Sequence, residues 1–136
     1  ALVIQTHRPV DTIMASMCSL AQHTTDGWSA KFVGAQIGTD AMETWSRGLE
    51  QFNTARAKYN PAQFYDVDYR ELIADPIGTV TDIYRQFDIP LTDGARQAME
   101  DIHAESQTGA RAPKHNYSLA DYGLTAEGVK ERFAGL

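Results

Sequence analysis

Leu2-Val3-Ile4-Gln5-Thr6-His7-Arg8-Pro9-Val10 sets the architecture. Leu2, Val3 and Ile4 form a continuous apolar run rich in β-branched residues. That pattern belongs to a strand buried on both faces, as in a parallel sheet. His7-Arg8-Pro9 interrupts it. Val10, Ile13, Met14, Met17, Cys18 and Ala21 then recur at helical spacing. Pro9 suits the start of that helix, where a missing N–H costs nothing. Residues 2–23 therefore read as strand, tight turn and helix.

Further along, Thr24 to Asp40 holds Gly27, Gly34 and Gly38 and reads as a loop with some short helix. From Ala41 to Tyr59, the residues Met42, Trp45, Leu49, Phe52 and Tyr59 mark one helical face, with Asp40 as N-cap and Asn60-Pro61 as the stop. Phe64-Tyr65-Asp66-Val67-Asp68-Tyr69 mixes aromatic, β-branched and alternating polar residues and reads as a second strand. A short helical turn at Glu71 to Ala74 follows. Asp75-Pro76 opens a helix through Ile77, Val80, Ile83, Tyr84 and Phe87, and Ile89-Pro90 closes it. Thr92 or Asp93 caps another helix to about Ser106, with Ala95, Met99 and Ile102 inward. Gln107 to Asn116 reads as an exposed polar loop. Ser118 to Leu136 reads as a turn and a terminal helix packing through Val129 and Phe133.

That inventory is α/β: two strands and about five helices over 136 residues, read as a single unit. Two strands alone make a poor sheet, which points to part of a larger parallel sheet. Its other strands are expected to be missing from this chain or supplied by another copy. The run at Leu2 has no basic region before it and is not read as a targeting signal.

Composition narrows the classes. Hydrophobic residues make up 43% and charged residues 22%, an ordinary globular balance. Mean hydropathy is −0.39, and no apolar run approaches the roughly 20 residues of a membrane span. With 12 Lys+Arg against 18 Asp+Glu, the net charge of −6 argues against a nucleic-acid-binding surface. It leaves room for a local cationic pocket. The single cysteine, Cys18, has no partner for an internal disulfide and fits the apolar face of its helix. A reducing, cytoplasmic compartment is expected.

Three constellations could carry chemistry. Arg8 stands at the carboxyl end of the first strand, where ligands of open α/β sheets sit, with Ser16 about two turns along the helix. A guanidinium there can hold a phosphate through two charge-assisted bonds. Equally, Arg8 could pair with an acidic neighbour and Ser16 could be a packing residue. Tyr69-Arg70-Glu71-Leu72 ends the second strand, where an aromatic can stack a flat base or simply fill the core. Arg111-Ala112-Pro113-Lys114-His115 groups three cations in an acidic chain, a segment fit to close over a phosphate or merely to be solvated. Asp66 and Asp68 share a strand face, where solvated polarity is the favoured reading over a metal site. His23 and His103 read as surface residues. No Gly-rich phosphate loop or nucleophile elbow is found.

Taken together, these segments resemble the C-terminal part of a sulfotransferase of the bacterial and actinobacterial type that uses 3′-phosphoadenosine 5′-phosphosulfate (PAPS). Thr6-His7-Arg8-Pro9 to Ser16 is similar to the family's 3′-phosphate motif. Val67 to Pro76 is similar to its strand-end tyrosine followed by an acidic residue, an apolar pair and an Asx-Pro turn. Lys114 to Leu124 is similar to its lysine- and tyrosine-bearing loop. The resemblance implies a helix-rich part of a three-layer, P-loop-NTPase-like parallel-sheet fold. It implies Arg8 and Ser16 as 3′-phosphate ligands, Tyr69 as an adenine-side contact, and Lys114 and His115 as phosphate contacts. PAPS would be the cosubstrate, with no metal, and the acceptor a small molecule, lipid or carbohydrate.

The family's phosphosulfate loop is not found in this sequence, and its general base lies upstream of the first strand, so no catalytic residue is assigned. By this reading the chain carries the 3′-phosphate and adenine half of a site. It is expected to be inactive alone, pairing with the missing N-terminal half or forming a homo-oligomer. Two other readings remain open. One is a non-catalytic helical interaction module using the Trp45, Phe52 and Tyr59 face. The other is a fragment of a P-loop kinase, which would favour ATP and magnesium.

Overall fold

The computed structural model describes residues 1–107 and 117–136, which hold two parallel strands and six α-helices. They fall into two compact units. The first takes in Ala1–Arg8 and the described residues of Asn60–Lys114; the second takes in Pro9–Tyr59 and the described residues of His115–Leu136.

In the first unit, β1 (Val3–His7) pairs in parallel with β2 (Phe64–Asp68), from Val3↔Phe64 to His7↔Asp68. A tight turn cannot join parallel strands, and here a long crossover containing two helices intervenes. Val67 is buried, and Tyr65 meets Phe87 edge to face with ring centroids 6.4 Å apart. α3 (Tyr69–Ala74) follows β2 without a loop because the Asp68 carboxylate caps it, accepting from the Arg70 backbone N–H at 2.8 Å. Asp75 caps α4 (Pro76–Gln86) in the same way, accepting from the Gly78 N–H at 2.9 Å, with Pro76 at the first helical position. Just past the end of α4, Asp88 adopts a left-handed φ of 52° and lets the Ile89 N–H donate back to the Tyr84 carbonyl. α5 (Asp93–Gln107) begins where the Thr92 hydroxyl accepts from the Ala95 N–H.

Two expectations about this unit change. Leu2 and Ile4 are 53% and 50% exposed, so the first strand is not buried on both faces. Among the described residues it pairs with β2 alone, so no strand pairs with its other edge. Ile102 shares the helical face of Ala95 and Met99, yet it is exposed, because no described residue covers that end of α5.

In the second unit, α1 (Val10–Thr25), α2 (Ala35–Arg56) and α6 (Ala126–Phe133) pack around Met14, Cys18, Ile37, Ala41, Tyr122 and Val129. Tyr122 comes from a 3₁₀ turn (Leu119–Tyr122) capped by Ser118, with Asp121 bonding back to the Ser118 N–H. The turn ends at left-handed Gly123, and Thr125 then caps α6. Lys130 of α6 reaches Asp11 in the first turn of α1 at 3.3 Å.

α2 starts six residues before the expected Ala41. Gly34, at φ 51°, turns the chain into the helix, and Ile37, Gly38 and Ala41 form its buried face. Asp40 is therefore inside the helix, accepting from the Gln36 side chain at 2.9 Å rather than capping. Gly38 is a packing residue: a Cβ there would collide with the Tyr122 carbonyl. The aromatic stripe expected to mark the inner face is only partly inward, since Trp45 and Tyr59 are exposed.

Candidate functional site

The strand register ends at His7↔Asp68, so the next residues, Arg8 and Tyr69, leave neighbouring strands side by side at the carboxyl edge of the sheet. Their side chains meet. The Arg8 guanidinium carbon lies 4.6 Å from the centroid of the Tyr69 ring, within cation–π distance. Arg8 is exposed and Tyr69 is half-buried. Among the described residues no carboxylate lies within ion-pair distance of Arg8, so the expected alternative of an acidic partner is not found there. The ring is not a hydrogen-bond acceptor of the carboxylate kind, and among the described residues no carboxylate occupies the guanidinium's N–H donors.

Nearby cations and acids are committed elsewhere. His7 Nε2 and Asp66 Oδ1 lie 2.7 Å apart across the two strands. Arg70 forks onto Asp68, with Nε at 3.2 Å from Oδ1 and Nη2 at 2.8 Å from Oδ2. The Arg70 side chain, and then its backbone N–H, hold the Asp68 carboxyl down from 3.8 to about 2. The Arg70 guanidinium is pushed up in turn by the same bond. Asp66 and Asp68 thus serve different partners, and no cluster of three metal-ligating side chains occurs among the described residues. Among the described residues, Arg8 differs from Arg70 in having no carboxylate on its donors.

Ser16 lies in the second unit, half-buried on α1. With Ser19, Leu20 and His23, at helical spacing along one face, and Tyr117, it lines an open pocket of about 240 Å³. A pocket of that volume is smaller than a usual ligand cavity and suits one small group. His23 Nδ1 lies 2.7 Å from the Ser19 carbonyl, which can only accept, so Nδ1 carries the proton. In the neutral ring Nε2 is then the acceptor.

Of the five residues singled out in the sequence, the structure brings Arg8 and Tyr69 together. Ser16 belongs to the other unit. Lys114 and His115, like Arg111, lie outside the described residues. The His7–Asp66 and Arg70–Asp68 contacts escaped the sequence reading. The second had a local signal, an Asp two residues before an Arg at a helix start. The first had none, because it depends on strand register.

A model of the sulfotransferase family matches residues 1–93. The chain is similar to the crystal structure of sulfotransferase STF1 from Mycobacterium tuberculosis H37Rv, with 72% identity and a TM-score of 0.85, covering 100% of this chain and 34% of that one. Its fold is also similar to sulfotransferase STF9 from Mycobacterium avium, with 24% identity and a TM-score of 0.80, covering 96% of this chain and 34% of that one. The chain thus spans about a third of the length of these relatives. No curated protein matches it.

Proposed function

Because the chain belongs to the sulfotransferase family, we propose that it supplies the 3′-phosphate and adenosine side of a PAPS site. Residues 1–136 form the C-terminal portion of one sulfotransferase domain on this reading. The observation that carries it is Arg8. Its guanidinium stands at the carboxyl edge of a parallel sheet, and no described carboxylate competes for its donors. A dianionic 3′-phosphate is the group that a free planar fork binds best.

In this reading Arg8 and Ser16 hold the nucleotide, and Lys114 and His115 approach its phosphates. They anchor the donor so that its sulfuryl group faces the acceptor, a contribution of positioning rather than bond making. The acceptor hydroxyl or amine forms the new bond to sulfur as the bond from sulfur to the bridging phosphate oxygen breaks. The acceptor's proton passes to a base that is not among the residues assigned here. A small molecule, lipid or carbohydrate serves as acceptor. Cys18, a buried thiol, suits a reducing cytoplasm. No helix among the described residues is long and apolar enough to cross a membrane.

A thermal-shift titration tests the reading. Adenosine 3′,5′-bisphosphate is expected to raise the melting temperature where adenosine 5′-monophosphate does not. Equal shifts, or none, would overturn it. A shift with ATP and magnesium instead would favour a kinase-type site.

A further inference from the structure

We propose that Tyr69 is a positioning residue for Arg8 rather than a platform for the adenine base. This deepens the nucleotide reading and rests on it. The register ends at His7↔Asp68, so Arg8 and Tyr69 each stand one residue past the end of adjacent strands, and the backbone fixes their proximity. The guanidinium then lies 4.6 Å from the ring centroid, where a stacked base would have to displace it. Tyr69 is half-buried, which limits the ring surface that a ligand can reach.

The contact solves a problem for an exposed arginine that must wait for an anion. A long, free side chain samples many rotamers, and ordering it on binding costs affinity. An ion pair would order it but would occupy its donors, as Asp68 does for Arg70. A cation–π contact with a ring orders the side chain without placing a carboxylate on its N–H donors. Tyr69 therefore acts on the 3′-phosphate through Arg8 and contributes to selection of nucleotides that carry that group.

The test uses the full chain and calorimetric affinities for adenosine 3′,5′-bisphosphate and adenosine 5′-monophosphate. Tyr69→Leu is expected to weaken binding of the bisphosphate by about threefold to fivefold, as for an exposed cation–π contact. It is expected to leave the monophosphate unchanged. Tyr69→Phe keeps the ring and should retain wild-type selectivity. In an Arg8→Ala background, Tyr69→Leu should add nothing. Equal losses for both nucleotides, or losses that add to Arg8→Ala, overturn the inference and favour base stacking.

A second readout needs no ligand. The Arg8 side-chain Nε–H resonance should be displaced by the ring current, remain so in Tyr69→Phe, and move to an ordinary arginine position in Tyr69→Leu. A resonance that Tyr69→Leu does not move overturns the inference even if binding changes. A wild-type chain that binds both nucleotides equally defeats the underlying nucleotide reading, a result distinct from either of these.

Discussion

His7 Nε2 and Asp66 Oδ1 meet at 2.7 Å although 59 residues separate them in the chain. Parallel pairing makes this contact. His7 is registered with Asp68, and Asp66, two residues earlier on the same face of β2, lies diagonally across from it. Both side chains are about half exposed, so water screens the pair. Urea unfolding of His7→Ala, Asp66→Ala and the double variant is expected to give a coupling of no more than about 1 kcal/mol. A larger coupling would mean that the pair holds the strands together.

Asp68 sets an acid-side dependence of stability. Its folded-state value, about 2, lies below the ordinary 3.8 because Arg70 bonds the ionised carboxylate. The folded state therefore binds the proton more weakly than the unfolded chain. Its contribution is complete above 3.8 and is lost as pH falls through about 2. Urea midpoints measured between those limits should fall less steeply with acid in Asp68→Asn than in the wild type. Parallel slopes would show that the Arg70 fork does not perturb Asp68.

Two glycines of α2 should respond in opposite directions. At Gly38 a Cβ would collide with the Tyr122 carbonyl and crowd Leu124, and backbone cannot step aside as a flexible side chain can. Gly38→Ala is expected to cost about 1–3 kcal/mol, as for overpacking. At Gly48 nothing lies within 4 Å of such a Cβ, so Gly48→Ala should stabilise α2 by about 0.5–1 kcal/mol. Thermal unfolding of the two variants checks both signs, and a neutral Gly38→Ala would refute the close approach.

Much of the architecture was legible because its signals are local. The β-branched run at Leu2, the Asp75-Pro76 start and the terminal helix packing through Val129 and Phe133 are each written within a few residues. The start of α2 was not, because Gly34 and Gly38 look like loop formers. One of them turns the chain into the helix, and the other makes room for the Tyr122 carbonyl. The half-exposed β1 also escaped, since an apolar run reports what a strand can bury, not what covers it. At the site, the sequence placed Arg8 and Tyr69 at strand ends but gave them separate roles. Their contact depends on register across the sheet, which no single segment encodes.

Asp88 occupies a left-handed conformation, φ 52°, just past the end of α4. A Cβ is disfavoured there by about 1–2 kcal/mol, somewhat less for Asp than for most residues, and glycine escapes that cost. Asp88→Gly should therefore raise stability by about 1 kcal/mol at most, read as a higher melting temperature. A lower one would reveal a contact of the carboxylate that outweighs the backbone strain.

Arg8 is the residue on which the functional reading turns. Losing a hydrogen bond to a charged group costs about 1.5–3 kcal/mol, so Arg8→Ala should weaken adenosine 3′,5′-bisphosphate binding by roughly 10- to 150-fold. Arg85 provides the comparison. It is also exposed, but its guanidinium sits on Asp82 at 2.6 Å, and it lies in the last turn of α4, just before Phe87, whose ring meets Tyr65 near the start of β2. Arg85→Ala removes the same formal charge and should leave the affinity within twofold. Because both variants alter net charge equally, a difference between them isolates the local fork from long-range attraction. Calorimetry at two salt concentrations completes the check. Equal losses from the two arginines would assign binding to overall charge and remove Arg8 from the site.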